Sequence, residues 1–422
     1  MRTSFHAKLY KRLEELCLAG VILFFTFSLR SVFTAEFYPE TLYSDYEDFI
    51  QGRGSFFSDD KLYALAGWFY VHGQAPDGIN FEHPPLAKYF IGLSEVVFGN
   101  HVLLSLVFSI LTLIIVFFLS RFFIKNPLFA LFPVFMLSLD KLFVSFSSSS
   151  MLDVYLLFFS SLSAFIFVKA LRDRRFTPLF YVAVGLAIAC KWIGIFILLS
   201  MLAYCLLRRD KWNLKFLPFG IALSLVTYAF TYIAFFLAGQ GLQDFVSLQL
   251  KMYRFQHFMR FERGTPPPFW ILLHFLTGIE GPAEFATVEI IEEAGKVTVR
   301  ILSVKYGLSL IKAFNPLTWP ASFSSSIMSL YYARKKGDAV FLIVPIAFFS
   351  LLALISFGQV FVWYILPGLP FAFISLAYFI ESIYKESKNK KAVALFILAY
   401  TIALSIWSIA VQLPSFLPFP IK

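Results

Sequence analysis

HVLLSLVFSILTLIIVFFL, His101–Leu119, holds no Asp, Glu, Lys or Arg, and the cations Arg121 and Lys125 follow it directly. A run of about 20 apolar residues spans the hydrocarbon of a bilayer as a helix. Its apolar positions do not alternate with polar ones, which argues against a membrane β-barrel. The rest of the chain is built the same way. Its 422 residues are 59% hydrophobic and only 15% charged, with a mean hydropathy of +0.74. A soluble domain has too little interior for so much apolar surface, so lipid is the solvent for most of this chain.

The net charge of +10 reads as topology rather than nucleic-acid binding, because the cations sit in short clusters between apolar runs. Span one covers about Leu13–Phe33. Later spans end at Arg121 and Lys125, at Arg172–Arg175, at Arg208, Arg209 and Lys211, at Arg334–Lys336 and at Lys385–Lys391. Placing every cluster inside predicts about eleven spans, an inside N-terminus and two long outer loops, 34–100 and 240–314, within one domain covering 1–422. Short outer turns fall at Asp140–Ser150, Lys191 and Gly358-Gln359. Cys17, Cys190 and Cys205 lie in or beside spans, without metal-ligand spacing, so neither a disulfide framework nor a zinc site is expected.

The first loop concentrates acids: Glu36, Glu40, Asp45, Glu47, Asp48, Asp59, Asp60, Asp77 and Glu82, against Arg53 and Lys61. Most of these would simply keep the loop in water. Asp59-Asp60 differs, because it opens the amphipathic segment Leu62–Tyr70 and would be held at the membrane surface. Adjacent carboxylates cannot point the same way, so at most one faces a given site. A carboxylate in a partly dry site serves as a general base. Downstream, His83-Pro84-Pro85-Leu86-Ala87-Lys88 leads into an expected surface helix, Leu86–Phe98. In the second loop, Leu248–Phe261 has helical apolar spacing interleaved with Lys251, Arg254 and Arg260, as in an interfacial helix, and Thr265–Pro268 ends it. Glu280–Arg300 is polar. Asp153 and Lys191 stand at span ends on the side of the first loop, either as a mutual ion pair or as a site for an anionic head group. No phosphate-binding Gly-rich loop, nucleophile elbow or dinucleotide fingerprint occurs, so an activated substrate would arrive as a lipid.

In these residues the chain resembles the dolichyl-phosphate-mannose protein mannosyltransferases, within the membrane glycosyltransferases of the GT-C fold. That family has an Asp-Glu pair opening a surface helix, followed by His-Pro-Pro-Leu-Gly/Ala-Lys. Asp59-Asp60 and HPPLAK match it, with Tyr70 and Gly73 in register, although the second acid is Asp. Asp153 matches the family's Leu-Asp, while Ser148 stands where an Arg is common. Lys191–Gly194 resembles its Lys-Trp-x-Gly, Met252–His257 its Met- and His-bearing helix, Asn315–Trp319 its Asn-Pro-x-x-Trp, and Trp363–Phe371 its late Pro-rich span. The second loop is too short for the β-trefoil of eukaryotic members, which leaves the compact prokaryotic or archaeal form.

The resemblance implies an all-α polytopic GT-C fold and transfer of mannose, with inversion, from polyprenyl or dolichyl phosphate to Ser or Thr of exported polypeptides on the extracytoplasmic side. Asp59 would be the catalytic base, with Asp45 or Asp60 next in line. Glu82, His83, Lys88, Asp153, Lys191 and Asn315 would bind or frame the lipid-phosphate sugar. A divalent metal is not required, although the carboxylates leave room for one. No nucleic-acid partner is implied, and a homo- or heterodimer stays open. A second reading keeps the fold and changes the sugar or the acceptor to a lipid or glycan. A third is a transporter or flippase gated by Asp153 and Lys191, which calls for ionisable groups near the bilayer midplane.

Overall fold

The apolar runs are helices in the computed structural model, which describes residues 2–53, 57–262, 270–293, 296–356 and 361–416. The first half comprises α1 (Arg2–Ser28), α2 (Pro39–Ile50), α3 (Asp59–Val71), α4 (Leu86–Phe98), α5 (Leu103–Phe123), α6 (Pro127–Leu139), α7 (Lys141–Ser147), α8 (Leu152–Ala170) and α9 (Thr177–Cys190). Then come α10 (Phe196–Arg208), α11 (Lys211–Phe230), α12 (Ile233–Leu237), α13 (Leu242–Glu262) and α14 (Trp270–Thr277). A hairpin of β1 (Ile279–Glu293) and β2 (Lys296–Leu310) precedes α15 (Trp319–Lys336), α16 (Ile343–Ser356), α17 (Leu369–Glu386) and α18 (Lys390–Phe416).

The chain is a multi-pass membrane protein. Among the described residues five helices are long and apolar enough to cross a bilayer, or six if α6 and α7, bent by 64°, form one broken span. Two shorter apolar stretches, Trp192–Arg208 and Val340–Ser356, add to the bundle. The break between α6 and α7 has a cause. Asp140, expected at an outer turn, is instead buried, and its carboxylate accepts from Leu142 N (3.0 Å) and Phe143 N (3.2 Å), capping α7. It also accepts from the Trp319 indole at 2.8 Å, tying the break to α15.

Small residues let the helices approach closely, as membrane packing requires. A Cβ on Gly185 of α9 would meet Ser224 O of α11 at 2.6 Å, and one on Gly220 would enter the Tyr181 ring. The Ser224 hydroxyl donates to Tyr181 O across the same seam. The basic helix ends are partly neutralised, with Arg121 on Glu14 and Lys385 on Glu381.

The membrane body is helical, as expected, and Leu86–Phe98 is the predicted surface helix. The polar stretch from Glu280 departs from an all-helical reading: it is an antiparallel hairpin, with Ile279 opposite Leu310 and Glu293 opposite Lys296. The Thr265–Pro268 stop and the Gly358-Gln359 turn lie outside the described residues.

Candidate active site

Both acids of the pair sit in the first turn of α3, where the helix dipole favours negative charge. Asp59 is exposed; Tyr63, one turn further on, is buried and meets the His83 ring edge-on at 5.9 Å. The crossing of α3 and α4 holds this geometry. Added Cβ atoms at Gly67 and Gly92 would lie 2.8 Å from Gly92 N and 2.1 Å from Gly67 O respectively, so the two helices touch through their backbones.

The loop that enters α4 is pinned by Lys88. This lysine is fully buried, and its ammonium donates to Asn80 O, to Asn80 Oδ1 at 3.0 Å and to His83 O at 2.8 Å, with Tyr70 Oη at 3.4 Å. Asn80 holds a left-handed backbone, φ 54°, which Asn tolerates better than most residues, and its amide donates to Glu82 Oε1 at 2.7 Å. Burial lowers the Lys88 pKa while Glu82 acts in the other direction.

Asp153 opens α8 and Lys191 follows the last turn of α9, both buried. The ammonium reaches the two carboxylate oxygens at 3.1 and 3.0 Å and lies 4.5 Å from the centre of the Tyr364 ring. Asp59 acts electrostatically on both partners. Tyr63 sits where these fields meet: burial first, then Asp59, Asp153, Tyr364 and Glu82, raise its hydroxyl well above the ordinary tyrosine pKa. Burial, with Lys191 and then Lys88, holds His83 well below its usual value, so the imidazole is neutral. Thus Asp59, Glu82, His83, Asp153 and Lys191 come together around Tyr63.

Helix α13 closes over this cluster. Gln256 donates to Glu82 O at 3.2 Å, and the Lys251 ammonium lies 3.9 Å from the centre of the Phe81 ring. The Trp192 indole donates to Tyr228 Oη, which donates to Gln249 Oε1 at 2.6 Å. Tyr364 belongs to the Trp363–Phe371 stretch singled out in the sequence, whereas Tyr63, Asn80, Tyr228 and Gln249 carry no motif of their own. In a chain with 20 tyrosines a single one carries no signal.

The remaining candidates lie elsewhere. Asp60 lines a separate cavity with Asp45, between α2 and α3. Asn315 is buried, and its side-chain oxygen accepts from Leu317 N and Thr318 N at the start of α15. Among the described residues no three His, Cys, Asp or Glu side chains gather as a metal site needs.

Comparison with known proteins bears on the arrangement. Residues 82–234 match the family model described as dolichyl-phosphate-mannose-protein mannosyltransferase, a stretch holding the His83–Lys88 motif, Asp153 and Lys191. The solved structure of ArnT from Cupriavidus metallidurans bound to undecaprenyl phosphate superposes with a TM-score of 0.61 at 16% identity, over 91% of this chain and 63% of that one. The chain has the GT-C fold. ArnT from the same organism in the apo state gives 0.51 at 18% identity, over 81% of this chain and 58% of that one. The apo oligosaccharyltransferase of Archaeoglobus fulgidus gives 0.42 at 14% identity, over 85% and 51%. The chain therefore spans less than two thirds of the ArnT structures it resembles. No curated protein matches it in sequence. In this GT-C fold, α3 and the loop into α4 bring two acids of the first loop, Asp59 and Glu82, towards the ends of α8 and α9.

Proposed function

We propose that the protein is an inverting glycosyltransferase that moves mannose from a polyprenyl or dolichyl phosphate to a Ser or Thr hydroxyl of an exported polypeptide, at the extracytoplasmic face. The observation that carries this reading is that Asp59, exposed at the start of α3, lies within electrostatic reach of the buried Asp153–Lys191 pair, with Tyr63 subject to both acids and in ring contact with His83. The family match over 82–234 supports the donor class. The acceptor oxygen attacks the anomeric carbon, the bond from that carbon to the phosphate oxygen breaks, and the lipid phosphate departs with the electron pair. Asp59 takes the hydroxyl proton, since a neutral hydroxyl is a weak nucleophile. Lys191 steadies the charge growing on the phosphate. Lys88 and the loop it pins fix where the sugar rests.

The test is transfer of radiolabelled mannose from dolichyl-phosphate-mannose to a Ser/Thr-rich peptide in liposomes. Asp59→Asn should reduce turnover by about 10²–10⁴-fold while the protein stays folded. Full activity of that variant would remove Asp59 from the mechanism. A second reading keeps a lipid-phosphate donor, the class of molecule bound in the solved ArnT structure, and changes the sugar, or the acceptor to a lipid or glycan. Parallel arms with other lipid-linked sugars and a lipid acceptor separate the two.

A further inference from the structure

Beside Asp59, along the Asp60–Ala64 side of α3, lies a cavity of about 270 Å³. The linker supplies Glu36, Phe37 and Tyr38, α2 supplies Leu42 and Asp45, and α3 supplies Asp60, Lys61 and Ala64. His101 closes it from behind, its ring 5.8 Å from that of Phe37.

The walls are unbalanced in charge. Three carboxylates, Glu36, Asp45 and Asp60, face one ammonium, Lys61, which pairs with Asp45 at 3.3 Å. Glu36 accepts from the Tyr38 hydroxyl. Asp60 makes no hydrogen bond or ion pair among the described residues, although it acts electrostatically on the imidazole. His101 Nδ1 is buried and also lacks a partner. The unpartnered carboxylate of Asp60 therefore stands over a floor of Phe37, Leu42 and Ala64. The volume holds one side chain, not a lipid. An aliphatic stem would cover the floor, and a cationic head would satisfy the spare carboxylate.

The location supplies the source. Asp60 follows Asp59 directly, and an extended chain advances about 3.3–3.6 Å per residue. A polypeptide whose hydroxyl meets Asp59 therefore passes the cavity within a few residues. We propose that this cavity is an acceptor subsite that takes a Lys or Arg side chain flanking the modified Ser or Thr. This rests on the reading of Asp59 as the base for a polypeptide acceptor.

Two measurements on the full chain in detergent keep the inference and that reading apart. The first is binding of fluorescent peptides that lack hydroxyls and differ only in carrying Lys, Ala or Glu at the flanking position. The Lys peptide should bind about tenfold more tightly than the Glu peptide, and Glu36→Lys, an exposed change on the rim, should erase that preference. A non-specific effect would have the opposite sign, because the protein carries +10. The second is mannose transfer to the matching Ser peptides, where kcat/KM should follow the same order. Equal binding of Lys and Glu peptides overturns the subsite, even if mannose is transferred. Charge-selective binding without transfer leaves the subsite standing and removes the proposed reaction.

Discussion

Lys88 and Lys191 are both buried, and they are held in opposite ways. Lys88 spends its donors on two backbone carbonyls and an amide oxygen of one loop, with no carboxylate in contact among the described residues. Lys191 spends its own on one carboxylate from another helix and leans on an aromatic face. Carbonyls fixed in a loop cannot be exchanged without unravelling it. A carboxylate can be exchanged for a phosphate oxygen, because both are anionic acceptors of similar geometry. The first lysine is therefore a rivet and the second a socket, although a hydropathy profile treats them alike.

The strongest break of this contrast is Lys191→Met. It strands the Asp153 carboxylate and should cost about 3–5 kcal/mol, read as thermal unfolding in detergent. Adding Asp153→Asn should recover most of that stability but no transfer, and a double variant with wild-type turnover would make the pair purely structural. Lys88→Met should cost about 2–3 kcal/mol by stranding loop acceptors, and limited proteolysis should then cut near Asn80 before the bundle unfolds. Gly67→Ala pushes α3 off α4 and should cost about 1–3 kcal/mol, with kcat falling more than donor KM rises. The smallest effect is that of pH. The folded state keeps His83 neutral below the ordinary histidine pKa of about 6.5, while the unfolded chain takes up the proton. His83 should therefore favour unfolding progressively as pH falls below about 6.5, and His83→Gln should flatten that part of the stability profile.

Charge clusters made the helical, polytopic character legible, and Leu86–Phe98 could be read to the residue because Pro84-Pro85 marks its entry. The pairing of Asp153 with Lys191, 38 residues apart, was legible as one of two readings, since both stand at span ends on one side. The burial of Asp140, expected at an outer turn, is not legible in the sequence, because its partner Trp319 lies 179 residues further on and no local pattern points to it. The hairpin was hidden because Gly281 and Pro282 interrupt its alternation and charges lie along both strands. The number of spans is also hard to read locally: α9 and α16 are short, and α6 stops at a capped bend.

The bare backbone contact between Gly67 and Gly92 carries a lesson for redesign. Where side chains separate two helices, a smaller or larger residue shifts one against the other, and the reach of a catalytic group can drift over many small steps. With nothing between the two backbones, no such adjustment exists. The offset of α3, and of the Asp59 it carries, from α4 behaves as a fixed gauge, and under the proposed reading retargeting to a bulkier acceptor has to proceed through α2 and the Glu36–Tyr38 linker.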